Sequence, residues 1–179
     1  MRLMRRPSPR HGQGVYAETT IAQHALVIEY TGELISHQEA EERYPTVDGR
    51  EDPEHTFVLQ LDDALVIDAN EGGNDARFIN HSCAPNLEPI AIGDHLWLVA
   101  LRDIAAGEEL GYDYAIQLDE PHTVARKRRF PCACGAPNCR GTLLRAKRTP
   151  LSAEVRAARH VVARRLRAMI AAEINEQSL

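Results

Sequence analysis

Arg77-Phe78-Ile79-Asn80-His81-Ser82-Cys83 decides how this chain reads, together with Cys132-Ala133-Cys134-Gly135-Ala136-Pro137-Asn138-Cys139. The 179 residues include four cysteines, and all four fall in these two stretches. Cys132, Cys134 and Cys139 lie within eight positions on a loop rich in Gly, Pro and Asn, where thiolates can converge on one ion. A structural zinc ion takes four ligands in a tetrahedron. The loop supplies three, and Cys83 is the remaining cysteine and the candidate fourth. Such a metal would tie the C-terminal loop to the Asn80-His81 segment. The alternative is two disulfides or buried inert thiols, although positions 132 and 134 are too close to bridge comfortably.

Composition narrows the setting. With 44% hydrophobic residues, the chain fits one globular domain with room for an appendage. No apolar run of about 18 residues occurs, so no membrane-spanning helix is expected. Met1 to Pro7 is charged and has no apolar segment behind it, which argues against a secretory signal. An intracellular setting, cytoplasmic or at chromatin or a nucleoid, would keep thiols reduced and favour metal over disulfides; a secreted bacterial effector is the alternative. The formal charge of -5 gives no global sign of nucleic-acid binding. Acid is nonetheless dense from Glu39 to Glu54, and base at Arg126-Lys127-Arg128-Arg129 and from Arg140 to Arg167. Each run taken alone reads as a solvated face, and together they make a field that can steer a charged partner.

Short extended segments dominate the first 116 residues. Residues 25–30, 56–61 and 65–68 read as strands, and 87–92 with 96–101 as a hairpin across Gly93-Asp94. Thr31-Gly32-Glu33 reads as a turn. Residues 37–44 read as a short helix stopped by Pro45, and 109–114 as a short extended piece. Residues 117–131 read as a basic linker. From Ser152 to Ile174 there is no Gly or Pro, which predicts a capped helix with Val155, Val162, Leu166 and Met169 on one face. The fold class expected is mostly β.

Four separated motifs then occur in a recognisable order: Gly12-Gln13-Gly14-Val15, Tyr30-Thr31-Gly32-Glu33, Arg77 through Asn86, and Glu109-Leu110-Gly111-Tyr112-Asp113-Tyr114. Cys132 through Gly141 completes them. In these the chain resembles the SET-domain protein lysine methyltransferases that carry a post-SET zinc motif, over roughly residues 10–144. Gly-x-Gly alone is a weak signal; Asn-His-Ser-Cys followed by this cysteine spacing is a specific one. The resemblance implies small sheets around a pseudoknot, with the Asn80-His81 strand passing under a loop near Tyr114. It implies a SET domain at 1–116 with an insert at about 36–57, a linker and post-SET zinc motif at 117–145, and a C-terminal helix at 146–179.

The resemblance also implies chemistry: methyl transfer from S-adenosylmethionine to a lysine side chain through a narrow channel. Tyr114 would be the catalytic tyrosine at the channel mouth, with Tyr30 and Tyr112 lining the channel. Asn80, His81, Arg77 and the backbone of Gly12, Gln13 and Gly14 would hold the cofactor, with Phe57 beside them where many relatives carry Tyr. Cys83, Cys132, Cys134 and Cys139 would hold zinc. Singly, each residue has an ordinary structural reading; their joint occurrence in the family's order favours the site. Gly111 departs from the family, which has Thr or a larger residue there, and would loosen that strand.

The acidic insert would suit a basic peptide, so histone-like tails are the expected substrate class. A non-catalytic SET-like module that recruits a basic partner is the rival reading. Direct nucleic-acid binding through the basic C-terminal helix is another, and that helix would either pack on the core or pair two copies of the chain.

Overall fold

The computed structural model describes residues 2–45, 57–118, 121–146, 156, 159–165 and 167–168. Among them, ten strands form four small sheets, and the fold is mostly β as expected. β1 (Leu3–Pro7) pairs antiparallel with β2 (Gln13–Ala17). β3 (Leu26–Glu29), β8 (Leu87–Ile92) and β9 (His95–Ala100) form a sheet with β9 central. β4 (Glu33–Ser36), β5 (Val58–Gln60) and β6 (Leu65–Asp68) form another around β6. β7 (Asn80–His81) and β10 (Gly111–Tyr112) pair in parallel, where the resemblance implies the threaded segment. Helical segments are α1 (His37–Arg43), a 3-10 turn at Asp75–Phe78, α2 (Val124–Arg129) and, as the C-terminal expectation has it, residues 159–165.

The expected hairpin is β8–β9. Its last rung, Ile92 with His95, leaves Gly93 and Asp94 as the loop, and Gly93 takes the positive φ that two-residue hairpins favour. Gly32 also has a steric reason: a Cβ there would stand 2.4 Å from the Asp68 carbonyl oxygen, across the start of β4. β4 was not expected, since Glu33 reads as the end of a turn, and neither were two further elements. β1 carries Arg5 and Arg6 and mostly exposed side chains, so it has no apolar alternation to announce it. It is held by its ladder to β2 and by Arg5 and Arg6 lying over the rings of Phe78 and Tyr16. α2 interrupts the expected linker. It buries no side chain, and its start is capped by Thr123, which accepts from the Arg126 N–H.

The four sheets share one core, in which Val15, Ile79, Leu87, Leu98, Ile104 and Leu110 are fully buried. Each such side chain contributes about 1.5–3 kcal/mol by leaving water. Val162 is also fully buried and packs against Ile90 and Val99 on the β8–β9 sheet, while Arg159 pairs with Glu88. So at Val162 the C-terminal segment packs on its own chain. Val155, Leu166 and Met169 lie outside the described residues, as does the stretch 46–56 of the acidic insert. No helix among the described residues is long and apolar enough to cross a membrane.

The insert begins from a rigid base. Ser36, the last residue of β4, caps α1 by accepting from the Glu39 N–H at 3.1 Å. Below α1 lies Asp68, a carboxylate without solvent exposure. It accepts from the Tyr44 hydroxyl at 2.8 Å, from Arg43 Nη1 at 3.1 Å, and from the Asn70 N–H and Nδ2 at 3.0 Å each. Burial alone would raise its pKa, but the donors from Tyr44, Asn70 and Arg43 outweigh it and hold the carboxyl below the usual range. Asp68→Ala is expected to lower the unfolding free energy by roughly 3 kcal/mol, because buried donors lose their acceptor. A depressed folded pKa stabilises above the unfolded value of about 3.9 and is lost below it. The difference between the two proteins in urea denaturation is therefore expected to be full at neutral pH and to shrink in acid.

Candidate functional site

The β7–β10 pair brings the singled-out residues together. Asn80 and His81 form β7, and Cys83 follows two residues later. Gly111 and Tyr112 form β10, and Tyr114 follows it. The register sets Asn80 beside Gly111 and His81 beside Tyr112.

Next to this pair, from Cys83 onward, the four cysteines meet. Their Sγ atoms all lie within 4.8 Å of one another. Cys83 and Cys132 are 3.8 Å apart, and Cys132 and Cys139 3.6 Å. A tetrahedral zinc with bonds of about 2.3 Å has sulfur–sulfur edges of about 3.8 Å. All four cysteines are free, so the disulfide alternative is set aside. Backbone N–H groups already point at the sulfurs: Cys83 to Cys134 at 3.5 Å, Cys134 to Cys132, Arg140 to Cys83 and Gly141 to Cys139 at 3.4 Å each. Burial opposes ionisation of Cys134, yet the N–H groups of Cys83 and Ala136 bring it down to about 6. Burial pushes the Cys83 and Cys132 thiols up. A cation is what allows several thiolates at this spacing, and the donor set fits zinc.

The tyrosines gather at the same pair. The Tyr112 and Tyr114 rings are 4.8 Å apart, and Tyr114 meets the His81 ring edge-on at 5.4 Å. Tyr114 donates to the Ile79 carbonyl at 3.0 Å, and Tyr30 to the Phe57 carbonyl at 2.9 Å. Burial pushes the phenols of Tyr30, Tyr112 and Tyr114 above their ordinary range; Tyr114 adds to the rise at both others, and Tyr30 to that at Tyr112. At neutral pH all three are un-ionised hydroxyls that donate and accept hydrogen bonds; none serves as an anionic base.

Asn80 fixes the glycine turn. Its Nδ2 donates to the His11 carbonyl at 3.2 Å, the Gln13 carbonyl at 2.8 Å and Glu109 Oε1 at 3.1 Å. Gly12 takes φ +47, which favours glycine, while a Cβ on Gly14 would stand 2.6 Å from Glu109 Oε1 and push that carboxylate away. His81 is buried, and its Nδ1 accepts from the Tyr114 N–H at 3.2 Å. The ring proton then sits on Nε2, which lies 3.2 Å from Cys83 Sγ. Burial above all brings its pKa down to about 4, with Arg140 and Arg10 lowering it further against Asp113.

Arg77 and Phe57 lie next to Tyr30. Arg77 donates to the Ala69 carbonyl at 2.8 Å and lies over the rings of Phe57 and Phe78. The Phe57 carbonyl receives Tyr30.

Several participants were not singled out by the sequence. The Glu109 carboxylate receives Ser8 Oγ at 2.7 Å, the Tyr16 hydroxyl at 3.2 Å and Asn80, with Arg10 Nε 3.5 Å away. Buried Asn86 donates to Glu108 Oε1 and the Glu109 carbonyl at 2.9 Å each and accepts from the Gly111 N–H at 2.8 Å. Both residues lie inside motifs quoted above, which was the available signal. Arg10 explains Gly111: a Cβ there would meet Arg10 Nη1 at 2.8 Å and Ser82 Cβ at 3.1 Å. The space beside Gly111 is thus filled by a guanidinium.

The arrangement can hold a cation in sulfur, hold a small polar ligand against Asn80 and the glycine turn, and surround a third group with neutral phenols. Comparison with known proteins agrees. The family model for the SET domain matches residues 12–115. The "Histone-lysine N-methyltransferase, H3 lysine-4 specific" of Saccharomyces cerevisiae is 42% identical over 137 residues, covering 74% of this chain and 12% of that protein. The "Histone-lysine N-methyltransferase trithorax" of Drosophila virilis is 40% identical over 134 residues, covering 73% of this chain and 3% of that protein. The H3 lysine-4-specific enzyme of Schizosaccharomyces pombe is 39% identical over 141 residues, covering 76% and 14%. The chain thus spans a small part of the length of these relatives. With two of its motifs paired as β7 and β10 and the match running from the glycine turn through all three site tyrosines, this chain belongs to the SET-domain family.

Proposed function

We propose that the chain transfers a methyl group from S-adenosylmethionine to the side-chain amine of a lysine in a histone or another basic protein. The observation that carries this is the gathering of three neutral tyrosines, Tyr30 and Tyr112 buried and Tyr114 partly buried, around the strand pair that holds Asn80 and His81. The names of the relatives support the histone substrate, and a histone substrate would place the chain at chromatin.

Bound S-adenosylmethionine supplies an electrophilic methyl group on a sulfonium. Asn80, His81 and the backbone of Gly12, Gln13 and Gly14 would hold it, with Arg77 and Phe57 walling the pocket on the Tyr30 side. The residues of the chain do the rest. A free lysine has a pKa of about 10.4, so at neutral pH it must lose a proton before it can attack. A channel of buried phenols disfavours the ammonium form by desolvation. Tyr114 and Tyr30 then orient the neutral amine by hydrogen bonds and exclude water. Tyr114 is the catalytic tyrosine in this reading. No ionised base stands among these phenols, so the proton leaves through water. Tyr112 fills the channel with a hydroxyl that resists rotation of an already methylated amine. Cys83, Cys132, Cys134 and Cys139 would bind zinc and close the loop over the site. The acidic residues of α1, Glu39, Glu41 and Glu42, with the insert that follows, would receive the basic peptide.

Radiolabelled transfer onto a panel of histones and basic bacterial proteins tests the main reading. Activity is expected on at least one basic protein, falling about 100-fold or more in Tyr114→Phe; binding without any transfer would point instead to a recruiting module. Mass spectrometry of the product is expected to show mono- and dimethyl-lysine, and trimethyl-lysine as the main product would refute the role given to Tyr112. Elemental analysis of purified protein is expected to find about one zinc per chain, lost in Cys83→Ser.

A further inference from the structure

Arg140 follows the last cysteine of the loop and faces two neighbours at once. Its N–H donates to Cys83 Sγ at 3.4 Å. Its Nη1 and Nη2 donate to Asp113 Oδ2 and Oδ1 at 2.6 and 2.7 Å. With 21% of the side chain exposed, this two-pronged pair is shielded from the screening that weakens surface ion pairs. Asp113 is the residue between Tyr112 and Tyr114. Its Oδ1 also accepts from the Ala115 N–H at 3.0 Å, and Ala115 takes φ +48, a left-handed conformation that a non-glycine residue adopts at a cost. One side chain from the sulfur loop therefore grips the point at which the chain leaves the tyrosine strand.

The same guanidinium faces an electrostatic problem. Zinc held by four thiolates carries a net charge of about -2, and a partly buried charge needs compensation. The N–H groups directed at the sulfurs supply some. Arg140 is a cation beside the cluster: it follows Cys139 directly and its N–H reaches Cys83 Sγ. Its Nε–H is buried and has no hydrogen-bond partner.

We propose that Arg140 is a positioning residue that couples the zinc loop to the tyrosines, clamping Asp113 through its two-pronged hydrogen bonds while its charge offsets the excess negative charge of the zinc–thiolate cluster. This rests on the zinc reading above. It separates charge from geometry: lysine keeps the first and loses the second.

Two readouts test it without using activity. Zinc affinity is measured by competition with a chromophoric chelator in the full chain. Arg140→Met is expected to weaken it about tenfold or more, as loss of a group supporting metal ligands does, and Arg140→Lys to restore it to within about threefold. The second readout is hydrogen exchange in the zinc-loaded chain. The Tyr114 amide, which donates to His81, is expected to exchange about tenfold faster in both Arg140→Lys and Asp113→Asn, with the β8–β9 amides unchanged as a control for folding. Equal zinc affinity in Arg140→Met and the unmutated chain, or Arg140→Lys as weak as Arg140→Met, overturns the charge role. An unchanged Tyr114 amide in Arg140→Lys and Asp113→Asn overturns the clamp. An unmutated chain that binds zinc but transfers no methyl group refutes the methyl-transfer reading and leaves both of these readouts standing.

Discussion

Two rungs of parallel ladder, Asn80 beside Gly111 and His81 beside Tyr112, hold the chemistry of this molecule in one place. So short a pair is weak by itself, and parallel pairing is somewhat less stable per residue than antiparallel. It also joins segments about thirty residues apart, so loop closure must be offset by other contacts. The Ser82 N–H donates to the Tyr112 carbonyl at 2.9 Å and the Asn86 N–H to the Gly111 carbonyl at 3.1 Å. The buried Asn86 side chain takes the Gly111 N–H in turn. Because a one-residue slip would send every side chain to the opposite face, these extra bonds fix which groups meet as well as how firmly.

Two carboxylates extend that constraint outward. Glu109 precedes β10 and gathers Ser8, Tyr16, Asn80 and Arg10 from the N-terminal hairpin and β7. Asp113 follows β10 and gathers Arg140 from the sulfur loop. The tyrosine strand is thus gripped at both ends by charge-assisted hydrogen bonds, which are stronger than neutral ones. Gly111 lies between the grips, and its missing side chain admits the Arg10 guanidinium. What reads as a weak point in the strand is a place where two segments interlock. The cost is a buried Arg10 Nη1 without a hydrogen-bond partner.

The outer elements secure this centre. Asp68 anchors Arg43 and Tyr44 at the end of α1, so the insert departs from a fixed point. Val162 seals the β8–β9 sheet from the far side of the chain. α2 is different. It buries nothing, and Lys127, Arg128 and Arg129 on it are exposed. Its length is set by Thr123 at the start and by buried Phe130 after its end, which returns the chain to the sulfur loop.

Alternating apolar residues and Gly/Asp turns made the β8–β9 hairpin, β6 and the mostly β class legible in the sequence, because such signals are local. The cysteine loop was legible because its ligands are close in the chain. β1 was not, since an arginine-rich edge strand has no apolar period and is defined by a partner ten residues away. α2 was not, since a short polar helix differs little in composition from a linker. Residue types and their order singled out Tyr30, Tyr112, Tyr114, Asn80, His81 and the four cysteines through the family resemblance. Only tertiary structure could bring the four sulfurs within 4.8 Å of one another, set Arg10 against Gly111, and pair Arg140 with Asp113. Those are contacts between segments far apart in sequence. Their energy depends on burial and direction, which composition and spacing along the chain do not encode.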